Sequence, residues 1–259
     1  MDGATTTRTA DFYDRLAAFY DRLYPDWEQA CRDQGQALHA LLSERLGPGP
    51  LTILDASVGI GTQLLGLAAH GHVVCGTDLS PVATQRARAE CAARHTDPRL
   101  AVADMRALPF PDDTFDAVIS ADNAIAHLMS GDEATAALRE MRRVTRPGGV
   151  LLVTIRDYED ARREHPPGTL PQVWSRAGET TVSFQVWDWH EDGERYDLQH
   201  FQVIGGDESW RVARRTASLW AVTRDELGDC ARRAGLDAIT WLLPEQSGFF
   251  QPVLVSSVG

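Results

Sequence analysis

The segment from Leu51 to Thr62 constrains the fold more than any other part of the chain. An apolar, β-branched run ends at Asp55, and Gly59 and Gly61 follow before a helical pattern begins. This order of residues is typical of a buried strand that turns sharply into a helix. Because glycine has no Cβ, the backbone of such a turn can approach a bound ligand closely. The segment therefore predicts the start of a βαβ unit with a ligand at the turn.

A second acidic residue stands at the end of the next apolar run. The run from His72 to Thr77 is followed by Asp78, which comes 23 residues after Asp55. An acidic side chain at the tip of the second strand of a βαβ unit is placed to accept hydrogen bonds from ribose hydroxyls. Alternatively, Asp78 could have a purely structural role as the N-cap of the helix that starts near Ser80. We favour the first interpretation, which predicts a cofactor of the adenosine type.

Strand-like and helix-like segments alternate through the central part of the chain. Strands are predicted at about 51–55, 72–77, 99–103, 114–120 and 149–156. Helices are predicted at about 61–70, 81–95 and 132–146. Strands that alternate with helices in this way predict an α/β fold with a doubly wound, mostly parallel sheet.

Segments of a different character flank this alternating region. The N-terminal part has two predicted helices, at 11–23 and 26–46. Beyond residue 158, alternating patterns at about 180–189, 195–204 and 209–221 predict an antiparallel excursion. A helix at about 224–234 and strands near 237–243 and 252–258 return to the α/β pattern. We expect one domain with four parts: a helical lid (1–50), a cofactor-binding core (51–156), an antiparallel cap insertion (157–222) and a closing helix with two strands (223–259).

Composition narrows the classes of function. The net charge of −12 argues against a nucleic-acid partner, because such binding depends on basic contacts to phosphates. The chain has no lysine, which excludes Schiff-base chemistry by a lysine side chain. The four cysteines lie far apart and form no metal-type or redox-type pair, so we expect no metal site and a reducing, cytoplasmic location. No run is long and apolar enough to predict a membrane span.

The glycine turn is compatible with two cofactors. A nicotinamide dehydrogenase would have Gly-x-Gly-x-x-Gly, whereas Leu64 stands at the third of these positions. The turn and the two strands that close the chain resemble instead the class I S-adenosylmethionine-dependent methyltransferases. The usual turn of that family is Asp/Glu-x-Gly-x-Gly-x-Gly, of which this chain keeps Asp55, Gly59 and Gly61 and has Ser57 at the first glycine.

Further residues carry the same resemblance. Asp78 matches the family's ribose-binding acid, and Asp104 with Met105 matches the pair that brackets adenine. The resemblance implies S-adenosyl-L-methionine as cofactor and a Rossmann-like sheet of seven strands. The cofactor-binding residues that it implies are Tyr20, Trp27, Asp55, Ser57, Gly59, Gly61, Asp78, Leu79, Asp104, Met105 and Asn123.

A narrower likeness is to the glycine/sarcosine N-methyltransferase branch. It is carried by the segment from Asp122 to Leu128, by Arg156-Asp157-Tyr158 after the fifth strand, and by Tyr20, Tyr24 and Trp27 in the N-terminal helical lid. In that branch the matching arginine holds the substrate carboxylate, the asparagine lies beside the substrate, and the histidine lies near the cofactor. The likeness therefore implies Asn123, His127 and Arg156 as the catalytic residues, and it also implies a homo-oligomer.

Several alternatives remain open at this point. Arg156 could instead be a surface residue paired with Asp157 or Asp160, and Tyr20 and Trp27 could be ordinary core aromatics. The expected function is N-methylation of a small amine or amino-acid-like molecule by in-line transfer, in which the protein aligns two reactants. O-methylation of a natural-product hydroxyl is the alternative. A nicotinamide oxidoreductase and a non-catalytic cofactor-binding protein are more remote.

Overall fold

The computed structural model describes residues 3–176, 178–206 and 209–259. The helices are α1 (Gly3–Ala17), α2 (Trp27–Leu46), α3 (Thr62–Ala69), α4 (Pro81–Ala93), α5 (Gly131–Val144), α6 (Glu159–Glu164), α7 (Arg224–Arg233) and α8 (Pro244–Ser247), with 3-10 turns at Tyr20–Leu23 and Ala124–His127. The strands are β1 (Thr52–Asp55), β2 (Val73–Asp78), β3 (Leu100–Val102), β4 (Phe115–Ser120), β5 (Thr145–Thr154), β6 (Gln172–Arg176), β7 (Glu179–Trp189), β8 (Arg195–Gly205), β9 (Trp210–Trp220), β10 (Ala238–Leu242) and β11 (Val253–Ser257).

Seven strands form the main sheet, in the order β10-β11-β5-β4-β1-β2-β3. The pairs from β5 to β3 are parallel, and β11 is antiparallel to both of its neighbours. Every residue of β4 is buried, as expected for a central strand covered by helices on both faces. The predicted fold class, a doubly wound and mostly parallel sheet with an antiparallel insertion after the fifth strand, is confirmed.

The insertion forms a second, antiparallel sheet in the order β6-β7-β8-β9. One of its faces contributes Trp187, Tyr196 and Leu198 to an apolar cluster with Phe12 and Leu16 of α1. Alternate residues of a strand point to opposite faces, so this sheet buries one side against the N-terminal helix. This apolar cluster is therefore built from segments that lie far apart in sequence.

Helix α1 is also tied to the main sheet. The carboxylate of Asp14 accepts hydrogen bonds from the Ser80 hydroxyl at 2.5 Å and from the Val82 backbone at 3.2 Å, at the start of α4. The hydroxyl of Thr6 accepts from Arg106, which follows β3, at 2.8 Å. These contacts hold α1 across the carboxyl ends of β2 and β3.

Two glycines let α2 approach α3. A Cβ added at Gly35 would lie 2.4 Å from the Cα of Gly66, and one added at Gly66 would lie 2.2 Å from the carbonyl oxygen of Cys31. Only glycine fits at this crossing. The contact brings Trp27 of α2 to α3, where its indole donates to the Thr62 hydroxyl at 2.9 Å.

Some element boundaries differ from the prediction. The helix expected at 11–23 ends at Ala17, and a 3-10 turn follows it. Strand β5 begins at Thr145, which pairs with Phe115 of β4 before an irregularity in the register, whereas the prediction began at 149. The short α6 and β6 were not predicted, since neither has a clear apolar period. In the described residues no helix is long and apolar enough to cross a membrane.

Candidate functional site

A cavity lies at the carboxyl ends of β1 to β4, which is where open α/β sheets bind ligands. Helix α1 contributes Thr6, Thr9 and Tyr13 to its wall. Seven of the residues predicted to bind a cofactor line this cavity: Tyr20, Ser57, Gly59, Asp78, Leu79, Asp104 and Met105. Their direct contact with a cofactor stays a prediction.

The glycine turn forms the floor of the cavity. Gly59 and Gly61 have φ angles of +52° and +97°, in the left-handed region that favours glycine. A Cβ added at Gly59 would meet no atom within 4 Å, so the space above this residue is open. Gly61 is the N-cap of α3 and lies behind the wall. The positive end of α3 therefore lies next to the turn.

Asp78 is fixed by the same turn. One carboxylate oxygen accepts from the backbone N–H of Gly59 and the other from that of Ser80, both at 2.8 Å. Burial raises the pKa of this carboxyl above its ordinary value, and the two backbone N–H groups act in the opposite direction. Each carboxylate oxygen has a further lone pair, so Asp78 can still accept from a ligand hydroxyl.

Asp104, which follows the neighbouring strand β3, is paired with Arg106. The guanidinium donates to both carboxylate oxygens of Asp104, the shortest contact being 2.6 Å, and also to Glu133 at 2.5 Å. Burial alone would raise the pKa of Asp104, but Arg106 outweighs it and holds the pKa below its ordinary value. Asp104 thus stays ionised beside the cavity.

Asp55 and Trp27 lie behind the wall rather than on it. One oxygen of Asp55 accepts from the Ser57 backbone at 3.2 Å, and the other finds no partner among the described residues. Burial raises the pKa of Asp55 to about 7. Neither residue borders the cavity, so both lie where they support its wall. Their direct contact with the cofactor stays a prediction.

A second cavity adjoins the first. Four residues line both cavities: Tyr13, Tyr20, Asp122 and His127. The rest of its wall comes from α1, from the ends of β4 and β5, and from the antiparallel sheet. All three predicted catalytic residues, Asn123, His127 and Arg156, border it.

Asp122 and Asn123 occupy an unusual backbone conformation at the end of β4. Their φ angles are +55° and +66°, two consecutive left-handed residues that are not glycine. The carboxylate of Asp122 accepts from the hydroxyls of Tyr24 at 3.0 Å and Tyr20 at 3.3 Å. Burial raises its pKa, and these hydroxyls oppose the shift.

Asn123 is engaged at both ends of its amide. Its oxygen accepts from the backbone N–H of Arg156 at 2.9 Å, and its nitrogen donates to the Tyr158 hydroxyl at 2.8 Å. That hydroxyl lies 2.9 Å from the hydroxyl of Tyr196 in the antiparallel sheet. The amide therefore joins the ends of β4 and β5, and its predicted contact with substrate stays a prediction.

Arg156 does not pair with its two acidic neighbours in sequence. Asp157 and Asp160 lie near Arg224 and Arg163 instead. The guanidinium of Arg156 lies 4.9 Å from the ring centre of Trp187, and it donates to the side chain of Gln185 at 3.3 Å. Among the described residues no carboxylate forms an ion pair with Arg156. It can therefore take an anionic group of a ligand.

His127 meets α1 at the junction of the cavities. Its Nε2 lies 2.9 Å from the hydroxyl of Tyr13. Burial lowers the pKa of His127 to about 4, so the ring is neutral at physiological pH. A neutral imidazole can accept a proton or a hydrogen bond.

Comparison with known proteins agrees with this geometry. Residues 53–149 match the family model described as a methyltransferase domain. A malonyl-[acyl-carrier protein] O-methyltransferase from Halorhodospira halophila is 33% identical over 162 residues, which are 60% of this chain and 50% of that protein. The chain spans about half the length of the curated relatives it matches.

Two solved structures cover nearly the whole chain. DesVI from Streptomyces venezuelae has a TM-score of 0.80 at 20% identity, over 94% of this chain and 98% of DesVI. CalS10, an amino pentose methyltransferase from Micromonospora echinaspora, has a TM-score of 0.76 at 22% identity, over 95% and 96% of the two chains. At these identities the likeness shows the fold.

The match to a methyltransferase domain favours S-adenosyl-L-methionine over a nicotinamide cofactor, and CalS10 is described as bound to that molecule. The first cavity fits such a molecule, because the open turn at Gly59 and the carboxylates of Asp78 and Asp104, at the ends of the adjacent strands β2 and β3, all line it.

The sequence analysis missed several residues around the two cavities. Tyr13, Arg106, Asp122 and Glu133 line the first cavity but were not predicted as site residues. Arg106 could have been found, because it stands two residues after Asp104 and can reach back to it. Tyr13 had no such signal, because its partner His127 lies 114 positions away.

Proposed function

We propose that the chain is an S-adenosyl-L-methionine-dependent methyltransferase that acts on a small molecule. The observation that carries the proposal is the pair of adjoining cavities that share Tyr13, Tyr20, Asp122 and His127. An in-line methyl transfer needs two ligands that meet at one point, with water excluded. One cavity would hold the cofactor and the other the methyl acceptor.

Three groups of the chain would hold the cofactor. Asp78 would accept from the ribose hydroxyls, Asp104 from the exocyclic amine of adenine, and the turn at Gly59 would lie along the methionine part. When bound, the cofactor supplies an activated methyl group. The contribution of the protein is then to orient the acceptor at the junction and to exclude water.

We propose nitrogen of an amine or amino-acid-like molecule as the acceptor. Two charges of opposite sign border the second cavity, the carboxylate of Asp122 and the guanidinium of Arg156. A zwitterion complements this pair, with its anionic group at Arg156 and its amine at the junction. The likeness to the glycine/sarcosine N-methyltransferase branch supports this proposal, as does CalS10, described as an amino pentose methyltransferase.

O-methylation is the second candidate. A relative matched over 162 residues is an O-methyltransferase, and neutral His127 could accept the proton of a hydroxyl acceptor. This candidate would place a hydroxyl rather than an amine at the junction.

Isothermal titration calorimetry with S-adenosyl-L-methionine and S-adenosylhomocysteine tests the cofactor part of the proposal. We expect both molecules to bind in a 1:1 ratio, and a chain that binds neither would contradict the proposal. Mass spectrometry of products from a panel of amines and matched alcohols then separates N- from O-methylation. Transfer to alcohols alone would favour the second candidate.

Two further properties follow from the same resemblance. We propose that the chain forms a homo-oligomer, as implied by the N-methyltransferase branch, and that it works in the cytoplasm. Its four cysteines are free and buried, which agrees with a reducing compartment. Analytical ultracentrifugation tests the first proposal, and a single sedimenting species of 28.5 kDa would contradict it.

A further inference from the structure

Asp122 stands where the two cavities meet. It lines both of them, and it follows directly after the central strand β4. Its backbone and that of Asn123 are held in the left-handed region by the bonds that Asn123 makes to Arg156 and Tyr158. A non-glycine residue in this region is strained, and such residues cluster at functional sites. Two in succession set the direction of the Asp122 side chain.

The charge of Asp122 is stabilised by neutral groups. Its carboxylate accepts from the hydroxyls of Tyr20 and Tyr24 and, at 3.4 Å, from the side-chain amide of Gln251. Throughout residues 3–176, 178–206 and 209–259, no basic side chain forms an ion pair with Asp122. Arg156, which borders the second cavity outside ion-pair distance, also acts against the rise in the pKa of Asp122, so the carboxylate lies at the junction without a cationic side chain in direct contact.

We propose that the carboxylate of Asp122 is the counter-charge to the positive charge at the point of methyl transfer. The junction of the two cavities is therefore a site for a cationic group. The inference rests on the proposed function, since it assigns the two cavities to a cofactor and an acceptor. Asp78 and Asp104 lie at the opposite part of the first cavity and bind the nucleoside, whereas Asp122 acts where the methyl group moves.

The reaction has a positive charge at this point throughout. In N-methylation the acceptor first gives its ammonium proton to bulk water on binding. The lone pair of the neutral amine then forms the C–N bond, the C–S bond breaks, and its electron pair stays on sulfur. The positive charge passes from the sulfonium to the methylated ammonium, which leaves with its proton. A fixed carboxylate at the junction stabilises that charge before, during and after the transfer.

Sinefungin tests the inference without knowledge of the acceptor. This cofactor analogue has a protonated amine in place of the sulfonium methyl group, whereas S-adenosylhomocysteine is neutral there. We expect Asp122→Asn to raise the Kd of sinefungin about 10- to 100-fold, since an opposite charge is lost at low effective dielectric. The Kd of S-adenosylhomocysteine should change less than about threefold, because its sulfur carries no charge.

Asp113→Asn is the matched control. Asp113 is an exposed aspartate with a similar left-handed backbone, φ +53°, on the turn before β4. Asparagine tolerates this conformation, so both variants change charge and not backbone. The control should leave both dissociation constants unchanged.

The outcomes are distinct. Equal loss of both ligands in Asp122→Asn, or no loss of sinefungin, would overturn the inference while the proposed function stands. If the wild-type chain binds neither ligand, the proposed function fails and this inference fails with it. The wild type provides a second measurement, because it should bind sinefungin at least about tenfold more tightly than S-adenosylhomocysteine. Equal or tighter binding of S-adenosylhomocysteine would contradict the proposal even if the variant does not fold.

Discussion

The two cavities differ in how the chain builds them. The first is formed mainly by short connections at the ends of consecutive strands, from the turn at Gly59 to the pair Asp104 and Arg106. The second gathers side chains from α1, from β4 and β5, and from the antiparallel sheet. The first is thus local in sequence and depends on backbone turns, whereas the second depends on tertiary packing.

Under the proposed function, this difference separates the binding of the cofactor, in the first cavity, from the recognition of the methyl acceptor, in the second. The first cavity depends on a strand, a glycine turn and a helix, and no described residue of the antiparallel sheet lines it. The second cavity depends instead on cross-strand pairs such as Gln185 and His200 of the antiparallel sheet. We expect variants of the two regions to affect different ligands.

The largest expected effect is on cofactor binding. Asp78→Ala should weaken the binding of S-adenosylhomocysteine by about 2 kcal/mol, because two charge-assisted hydrogen bonds are lost. Calorimetry measures the change. Asp97→Ala, at an exposed position before β3, is the control and should bind as the wild type does. A normal affinity in Asp78→Ala would remove the assignment of the first cavity.

A second variant addresses the acceptor side. Arg156→Ala should raise the KM for a carboxylate-bearing amine by an amount equivalent to about 1.5–2 kcal/mol, since one charged partner is lost. The KM for the cofactor should stay the same, as measured by steady-state methylation kinetics. Arg163→Ala, an exposed arginine on α6, is the control. If both KM values rise together, Arg156 is no carboxylate anchor and the two regions are not independent.

The smallest expected effect is on pH stability. Burial, with a contribution from Arg215, lowers the pKa of His200 to about 4, so the unfolded chain binds this proton more readily than the folded one. Stability should therefore fall as the pH drops from about 6.5 towards 4. His200→Gln should reduce that loss by about 1 kcal/mol at pH 5. Urea unfolding at pH 5 and 7 measures it.

His95→Asn provides the comparison for this measurement. His95 is exposed and left-handed in backbone, a conformation that asparagine accepts. If the free energy of unfolding of His200→Gln falls with pH as steeply as that of the wild type, the neutral burial of His200 does not cause the loss of stability in acid.

The fold was largely predictable because its signals are local. The apolar run before Asp55 and the stop at Gly235 have short-range causes, a buried strand and a left-handed helix end with φ +86°. The three long strands of the insertion were also found by their alternation. The short β6 was missed, since its residues are mostly exposed and lack an apolar face.

The candidate site was predictable only in part. Asp78 and Gly59 belong to one strand–turn–helix unit, so their proximity follows from the sequence. The contact of Tyr13 with His127 and the tyrosines around Asp122 depend on how α1 and the turn at Tyr20 pack on the sheet. Nothing in the local pattern of these segments specifies that packing.

Helix α1 belongs to both cavities. Thr6 and Thr9 border the first, Leu16 borders the second, and Tyr13 borders both, while Asp14 ties the helix to the start of α4. A displacement of this one helix would open both cavities together. Release of spent cofactor and entry of a fresh acceptor would then share a single opening event, so the two exchange rates should rise and fall in step.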